Sequence, residues 1–139
     1  MMHNPYSIIK EQLKSLSCFQ INVQHSKAAT SNLMQLIEEA NIDLVYIQEP
    51  YTINNKIVGI PKRFRTYTCD NGRNRAAVVA NNKELDIILL NQMSDEDCVV
   101  VEVRTNKIKF FATSMYCDAT IDMETNIKKK ESILRYVHG

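Results

Sequence analysis

The sequence has no CxxC pair. Its four cysteines, at positions 18, 69, 98 and 117, lie far apart. That excludes the usual zinc spacings and offers no disulfide framework, so reduced thiols in an intracellular protein are expected. The opening stretch MMHNPYSIIKEQLK lacks the apolar h-region of a signal peptide. No apolar run approaches the length of a membrane-spanning helix, so a soluble chain with no membrane partner is expected. Charge imbalance is also missing: the net charge is +1, and no global basic field advertises a polyanion partner. Any electrostatic footprint has to be local. Internal repeats and low-complexity segments are absent. What remains is 139 residues with 45% hydrophobic and 24% charged side chains, the composition of one globular domain or part of one.

One stretch organises the rest, DLVYIQEPY at 43–51. Leu44 to Gln48 read as a strand buried on both faces, the kind found inside a parallel or mixed sheet. The run ends on Glu49 and then Pro50. Proline cannot donate to a sheet ladder and pushes its predecessor toward extended geometry, so the strand stops there. A carboxylate is left at the carboxyl end of a core strand, where open α/β sheets put their ligand crevices. A lone solvated acid at a strand end is the ordinary alternative, and its neighbours have to decide between the two.

Residues 1–15 are polar and mixed, an expected extension ahead of a domain at 16–139. The run at 16–23, LSCFQINV, suggests a first strand with Asn22 near its end. Ser26 is a plausible N-cap for a following helix, with Ala29, Leu33, Leu36, Ile37 and Ala40 as its apolar stripe and Asn41 just past its end. Glu38 and Glu39 lie at the wrong end for the helix dipole, which assigns this helix to packing more than to local propensity. Strand, helix, strand in this order predicts parallel strands joined by a right-handed crossover. Positions 52–75 read as loop with a short strand near 64–68. Then come RAAVVANN, LDIILLN, DCVVVEVRT and NKIKFFATSMY, β-rich runs spaced as antiparallel neighbours, with Thr105-Asn106-Lys107 the tightest hairpin. After Asp118, the residues Met123, Ile127, Leu134 and Val137 recur at helical intervals, with Asp122 as cap, i,i+4 pairs at Glu124–Lys128 and Glu131–Arg135, and Gly139 as stop.

Three phrases in order, QINVQHSKAATSNLMQLIEE with Asn22, DLVYIQEPY with Glu49, and FFATSMYCD with Tyr116, resemble the endonuclease/exonuclease/phosphatase superfamily. More narrowly they resemble the apurinic-type endonuclease domain of non-LTR (LINE-type) retrotransposon polyproteins, over roughly residues 17–139. The resemblance implies a two-sheet α/β sandwich. It also implies a DNA endonuclease that nicks its target by phosphodiester hydrolysis with Mg²⁺ or Mn²⁺, beside a reverse transcriptase domain on the same polypeptide, nuclear if the element is active. On that resemblance Glu49 is the metal ligand, a sensible one because a hard cation favours carboxylate oxygen and keeps several waters. Asn22 is the amide that steadies the carboxylate or a phosphate oxygen. Tyr116 is the phenol that donates to charge developing on phosphorus. Asp118 could approach the same crevice, without a defined role. The family's later Gly-Asp-x-Asn and Ser-Asp-His phrases have no match here, and His138 is followed only by Gly139. The expected sandwich is therefore incomplete at its carboxyl end, with no general base and little or no nicking activity alone.

The ordinary readings stand beside these. Asn22 is equally a polar strand end, and Tyr116 a core aromatic with its hydroxyl outward. His25 reads as a surface residue before the Ser26 cap. Lys62, Arg63, Arg65, Arg73 and Arg75 face one acid, Asp70, in two short segments. Arg63, Arg65, Arg73 and Arg75 are thus candidates for a DNA backbone or for a merely solvated loop. Lys128, Lys129 and Lys130 read as the exposed face of the last helix. The alternatives to an endonuclease are a non-catalytic nucleic-acid-binding remnant of the same fold and a phosphatase-type relative. A chain whose second sheet lacks strands exposes an edge, and folding alone is itself in question.

Overall fold

The computed structural model describes residues 16–69, 72–117, 128 and 131. Strand β1 (Cys18–Asn22) leads into helix α1 (Lys27–Ala40) and then β2 (Leu44–Gln48). β1 and β2 pair in parallel, Cys18 opposite Leu44 and Asn22 opposite Gln48, as the strand–helix–strand order predicts. β2 also pairs antiparallel with β6 (Ala76–Ala80), which pairs with β5 (Arg65–Tyr67). The first sheet therefore runs β1-β2-β6-β5. A second sheet, β7-β8-β9, is a meander of Asp86–Leu89, Cys98–Arg104 and Lys109–Met115. Its second turn closes with Thr105 N–H donating to Ile108 C=O at 2.9 Å, the hairpin expected there.

Why β6 is apolar throughout, and β2 apart from Tyr46 and Gln48, follows from the layering. Val45, Ile47, Ala77 and Val79 face Leu33, Met34 and Ile37 of α1. The alternate residues Leu44, Ala76, Val78 and Ala80 face Val99, Val101, Val103 and Ala112 of the second sheet. The order of layers is helix, sheet, sheet. With both faces covered, alternation disappears and a continuous hydrophobic run is what the chemistry requires.

α1 starts and stops where its sequence says. Ser26 Oγ accepts from Ala29 N–H at 3.1 Å, and Asn41 takes the left-handed conformation, φ 50°, that ends helices. Its stripe is rotated from the expected one. Thr30, Leu33, Met34 and Ile37 are buried, while Leu36 is 39% exposed and Ala40 lies outward. Burying Leu33, Met34 and Ile37 is worth about 1.5–3 kcal/mol each, against about 1 kcal/mol for the cap. Packing thus decides the rotation. Arg63, reaching back from the loop, pairs with Glu38 at the helix's acidic end.

Two further expectations are corrected. The loop after Pro50 contains a small hairpin, β3 (Thr52–Ile53) and β4 (Lys56–Ile57), turned by Asn54 and Asn55 with φ 53° and 65°. β6 and β7 are not antiparallel neighbours, because the chain leaves the first sheet at Ala80 and starts the second at Asp86. The capped helix expected at 122–137, with its pairs at Glu124 and Arg135, lies outside the described residues apart from the helical Lys128 and Glu131. Asp70, Asp118, Lys129, Lys130 and His138 lie outside them too. No described helix is long and apolar enough to cross a membrane.

Candidate functional site

The parallel register puts Asn22 opposite Gln48, so Asn22 and Glu49 leave adjacent strands at the same sheet end. Beyond them the chain makes tight left-handed turns. Gln24, His25 and Glu49 have φ of 52°, 58° and 48°. For residues with a Cβ this backbone costs roughly 1–2 kcal/mol each and needs surrounding structure to impose it. That structure is visible. His25 N–H donates to Glu49 C=O at 2.8 Å, His25 Nδ1 lies 3.1 Å from Pro50 C=O, and Glu49 N–H donates to Arg75 C=O at 2.9 Å. Pro50 is fully buried. The Glu49 main chain is thus tied to two neighbouring segments, and its side chain is half-buried at the sheet's end. Asn22 Oδ1 accepts from Gln24 N–H at 2.8 Å, which leaves the amide's Nδ2 as its remaining donor.

Tyr116 reaches this place from the second sheet. Its N–H donates to Asp97 C=O at 2.7 Å, and its ring lies under the Arg75 guanidinium, 4.9 Å from carbon to centroid. Arg75 is the hub. Its Nε and one terminal nitrogen meet the two Asp97 oxygens at 2.5 and 2.7 Å, its N–H meets Glu96 C=O at 2.6 Å, and its C=O holds Glu49. A forked pair this well formed, with side chains 11% and 9% exposed, fixes four chain segments in one geometry. Behind it, Gln48 Nε2 donates to Ser114 Oγ at 3.0 Å and Ser114 Oγ donates to Ile47 C=O at 2.8 Å, a buried polar stitch between the sheets two residues before Tyr116. Asn22, Glu49 and Tyr116 therefore share one end of the sandwich.

The four arginines do not form one basic stripe. Arg75 is buried on Asp97. Arg65 turns inward, donating to Asn82 C=O and Leu85 C=O at 2.9 and 2.8 Å. Arg63 pairs with Glu38 and lies over Phe64. Arg73 follows Gly72, whose φ of 76° is a backbone that a Cβ strains and which lies against the Glu96 carboxylate. The Arg73 N–H donates to Glu96 Oε2 at 3.0 Å and its guanidinium lies 3.6 Å from Oε1. The Arg73 N–H, helped by the charges of Arg73 and Arg75, holds the Glu96 carboxyl below its ordinary range. Arg63 and Arg73 keep about half of their side chains exposed, 52% and 59%; Arg65 and Arg75 serve the fold. The Arg75–Asp97 fork and the Gln48–Ser114 stitch escape sequence reading because their partners lie 22 and 66 residues apart.

A divalent ion can be weighed against these donors. Among the described residues no three His, Cys, Asp or Glu side chains gather as a metal cluster. A cation that needs such a cage does not fit. One that takes a single carboxylate and keeps its waters, as Mg²⁺ does, fits the half-buried Glu49, at the sheet end it shares with Asn22.

No protein-family model and no curated protein matches the sequence. Solved structures do match the fold. The endonuclease domain of TRAS1, a telomere-specific non-LTR retrotransposon, aligns over 88% of this chain and 53% of its own length, with TM-score 0.75 and 23% identity. An endonuclease/exonuclease/phosphatase family protein from Leptotrichia buccalis aligns over 85% of this chain and 62% of its own, with TM-score 0.52 and 17% identity. The chain spans about half the length of the first and under two thirds of the second. Helix on sheet on sheet is the α/β sandwich of the endonuclease/exonuclease/phosphatase type.

Proposed function

We propose that the chain is the metal-binding portion of a retrotransposon-type, Mg²⁺- or Mn²⁺-dependent DNA endonuclease, part of a longer polypeptide that also carries a reverse transcriptase. The observation that carries the reading is Glu49, held at φ 48° on a core strand end, at the end of the sandwich where Asn22 and Tyr116 also lie. Left-handed backbone at an acidic residue, imposed by bonds to two neighbouring segments, is what ligand-holding positions tend to show. Glu49, with the Asn22 amide beside it, would hold the ion, which when bound supplies Lewis acidity to the phosphodiester. Asn22 Nδ2 would donate to a phosphate oxygen or to the Glu49 carboxylate. The Tyr116 phenol would donate to charge building on phosphorus, with Arg75 stacked on its ring limiting the directions that phenol can take. No described group is assigned as the base that prepares water.

The test is DNA binding and plasmid nicking by the 139-residue chain, with and without Mg²⁺. The endonuclease reading expects Mg²⁺ to strengthen DNA binding, Glu49→Gln to remove that gain, and nicking to be weak. DNA binding that falls with salt but ignores both Mg²⁺ and Glu49→Gln would make the chain a non-catalytic binding remnant. Robust nicking abolished by Glu49→Ala would keep the metal reading and overturn the expected weakness of the chain alone.

A further inference from the structure

Pro50 is fully buried, and a buried carbonyl needs a donor. Here a side chain supplies one: His25 Nδ1 lies 3.1 Å from the Pro50 C=O. A carbonyl can only accept, so Nδ1 carries the proton in this contact and Nε2 is the nitrogen left over. The bond is one of three between the turn after β1 and the segment after β2. Val23 N–H donates to Gln48 C=O at 3.1 Å, His25 N–H to Glu49 C=O at 2.8 Å, and the ring to Pro50 C=O. Of the three, the ring's bond alone comes from a side chain, so it alone depends on which residue stands at 25.

The turn needs that support. Ser26 N–H donates to Val23 C=O at 2.9 Å across Gln24 and His25, whose φ values are 52° and 58°. Two left-handed residues in a row are the pattern of a type I′ turn, which favours Asn and Gly over glutamine and histidine. Local propensity therefore does not hold the turn; its bonds across to Gln48, Glu49 and Pro50 do. Ser26 caps α1, so the packed helix is the anchor from which His25 reaches over. Glu49 is gripped from both sides, its N–H by Arg75 C=O and its C=O by His25 N–H.

From this we propose that His25 is a positioning residue for Glu49. Its ring, through Nδ1–H and the Pro50 carbonyl, fixes the left-handed backbone from which the Glu49 carboxylate projects. The inference deepens the endonuclease reading and rests on it for the ion that this carboxylate would hold. The ring acts through Glu49 and touches neither ion nor phosphate. Substitution chemistry separates these roles. The Nδ2 of an asparagine takes nearly the place of the ring's Nδ1, and asparagine accepts left-handed backbone. The amide of a glutamine reaches instead to the place of Nε2. Glycine accepts the backbone but offers no donor.

The experiment compares the parent 139-residue chain with His25→Asn, His25→Gln, His25→Gly and His25→Ala, each checked for folding by its melt. Two quantities are read: hydrogen exchange of the Glu49 amide in metal-free buffer, and Mn²⁺ binding by electron paramagnetic resonance. His25→Ala, His25→Gly and His25→Gln are expected to speed that exchange and weaken Mn²⁺ binding about fivefold, the loss of one such bond. His25→Asn is expected to stay close to the parent in both. His25→Gly matching the parent would overturn the proposal, because backbone freedom would then be all that position 25 supplies. Mn²⁺ affinity kept by His25→Gln and lost by His25→Asn would overturn it too, as the mark of Nε2 touching the ion. Exchange that follows the ring bond in a chain that binds no Mn²⁺ would uphold the positioning of Glu49 and remove the metal reading. Exchange unchanged in every variant would overturn the positioning even where Mn²⁺ binds.

Discussion

Glu49 was readable as the acid that ends a core strand, because Pro50 forbids the strand to continue. Its left-handed backbone was not readable, because that comes from bonds made by His25 and Arg75, neither of which pairs with it locally. Arg75 shows the same limit from the other side. In the sequence it belongs to a cluster of cations; in the structure its charge is matched by Asp97. Removing one partner of a buried pair leaves the other charge uncompensated, at a cost of about 3–5 kcal/mol. Urea denaturation is therefore expected to find Asp97→Asn destabilised by about that amount, and Arg75→Met/Asp97→Leu destabilised less than Asp97→Asn alone. A double variant as unstable as the sum of its singles would mean that the fork contributes no coupling. Glu96 supplies a pH signature. Its carboxyl is held below the ordinary range by the Arg73 N–H, so its contribution is present above that range and lost as pH falls through the folded value. Melting temperature is expected to drop more steeply between roughly pH 5 and 3 in the parent chain than in Glu96→Gln. Parallel curves would remove Glu96 from the account.

At the level of elements, the signals that survived were those carried by neighbouring residues. Ser26 and Asn41 bracket α1 because each acts within four residues of its own position. The burial stripe did not survive intact: Leu36 was expected inward, yet the helix turns Thr30 and Met34 to the sheet instead. What fixes that rotation is the shape of the surface offered by Val45, Ile47 and Val79, which no helical periodicity encodes. The β3–β4 hairpin had a local signal, the Asn54-Asn55 pair, hidden by strands only two residues long. Capping gives a direct check. Ser26→Ala is expected to lower stability by about 1 kcal/mol. Asn41→Ala is expected to cost about the same because alanine resists the left-handed conformation, while Asn41→Gly is tolerated. Equal stability of all three variants would show that α1's ends contribute nothing beyond its packed face.

For the whole molecule, β1 with β2 and the meander were legible because adjacent runs of chain form them. The passage from β6 in one sheet to β7 in the other was not, since five residues between Ala80 and Asp86 serve a hairpin as readily as a change of layer. That change of layer brings Tyr116 over the end of β2, and the candidate site exists only because of it. The Gln48–Ser114 stitch and the Arg75–Asp97 fork tie the segments of that end together, so the candidate site is a property of the assembled sandwich and not of any one phrase in the sequence. The most direct measurement is Mn²⁺ binding to the 139-residue chain, followed by electron paramagnetic resonance, for the parent, Glu49→Gln and the surface control Glu84→Gln. One ion per chain is expected in the parent and in Glu84→Gln, with binding lost in Glu49→Gln. Mn²⁺ bound equally well by all three would contradict the claim that Glu49 is the metal-holding group.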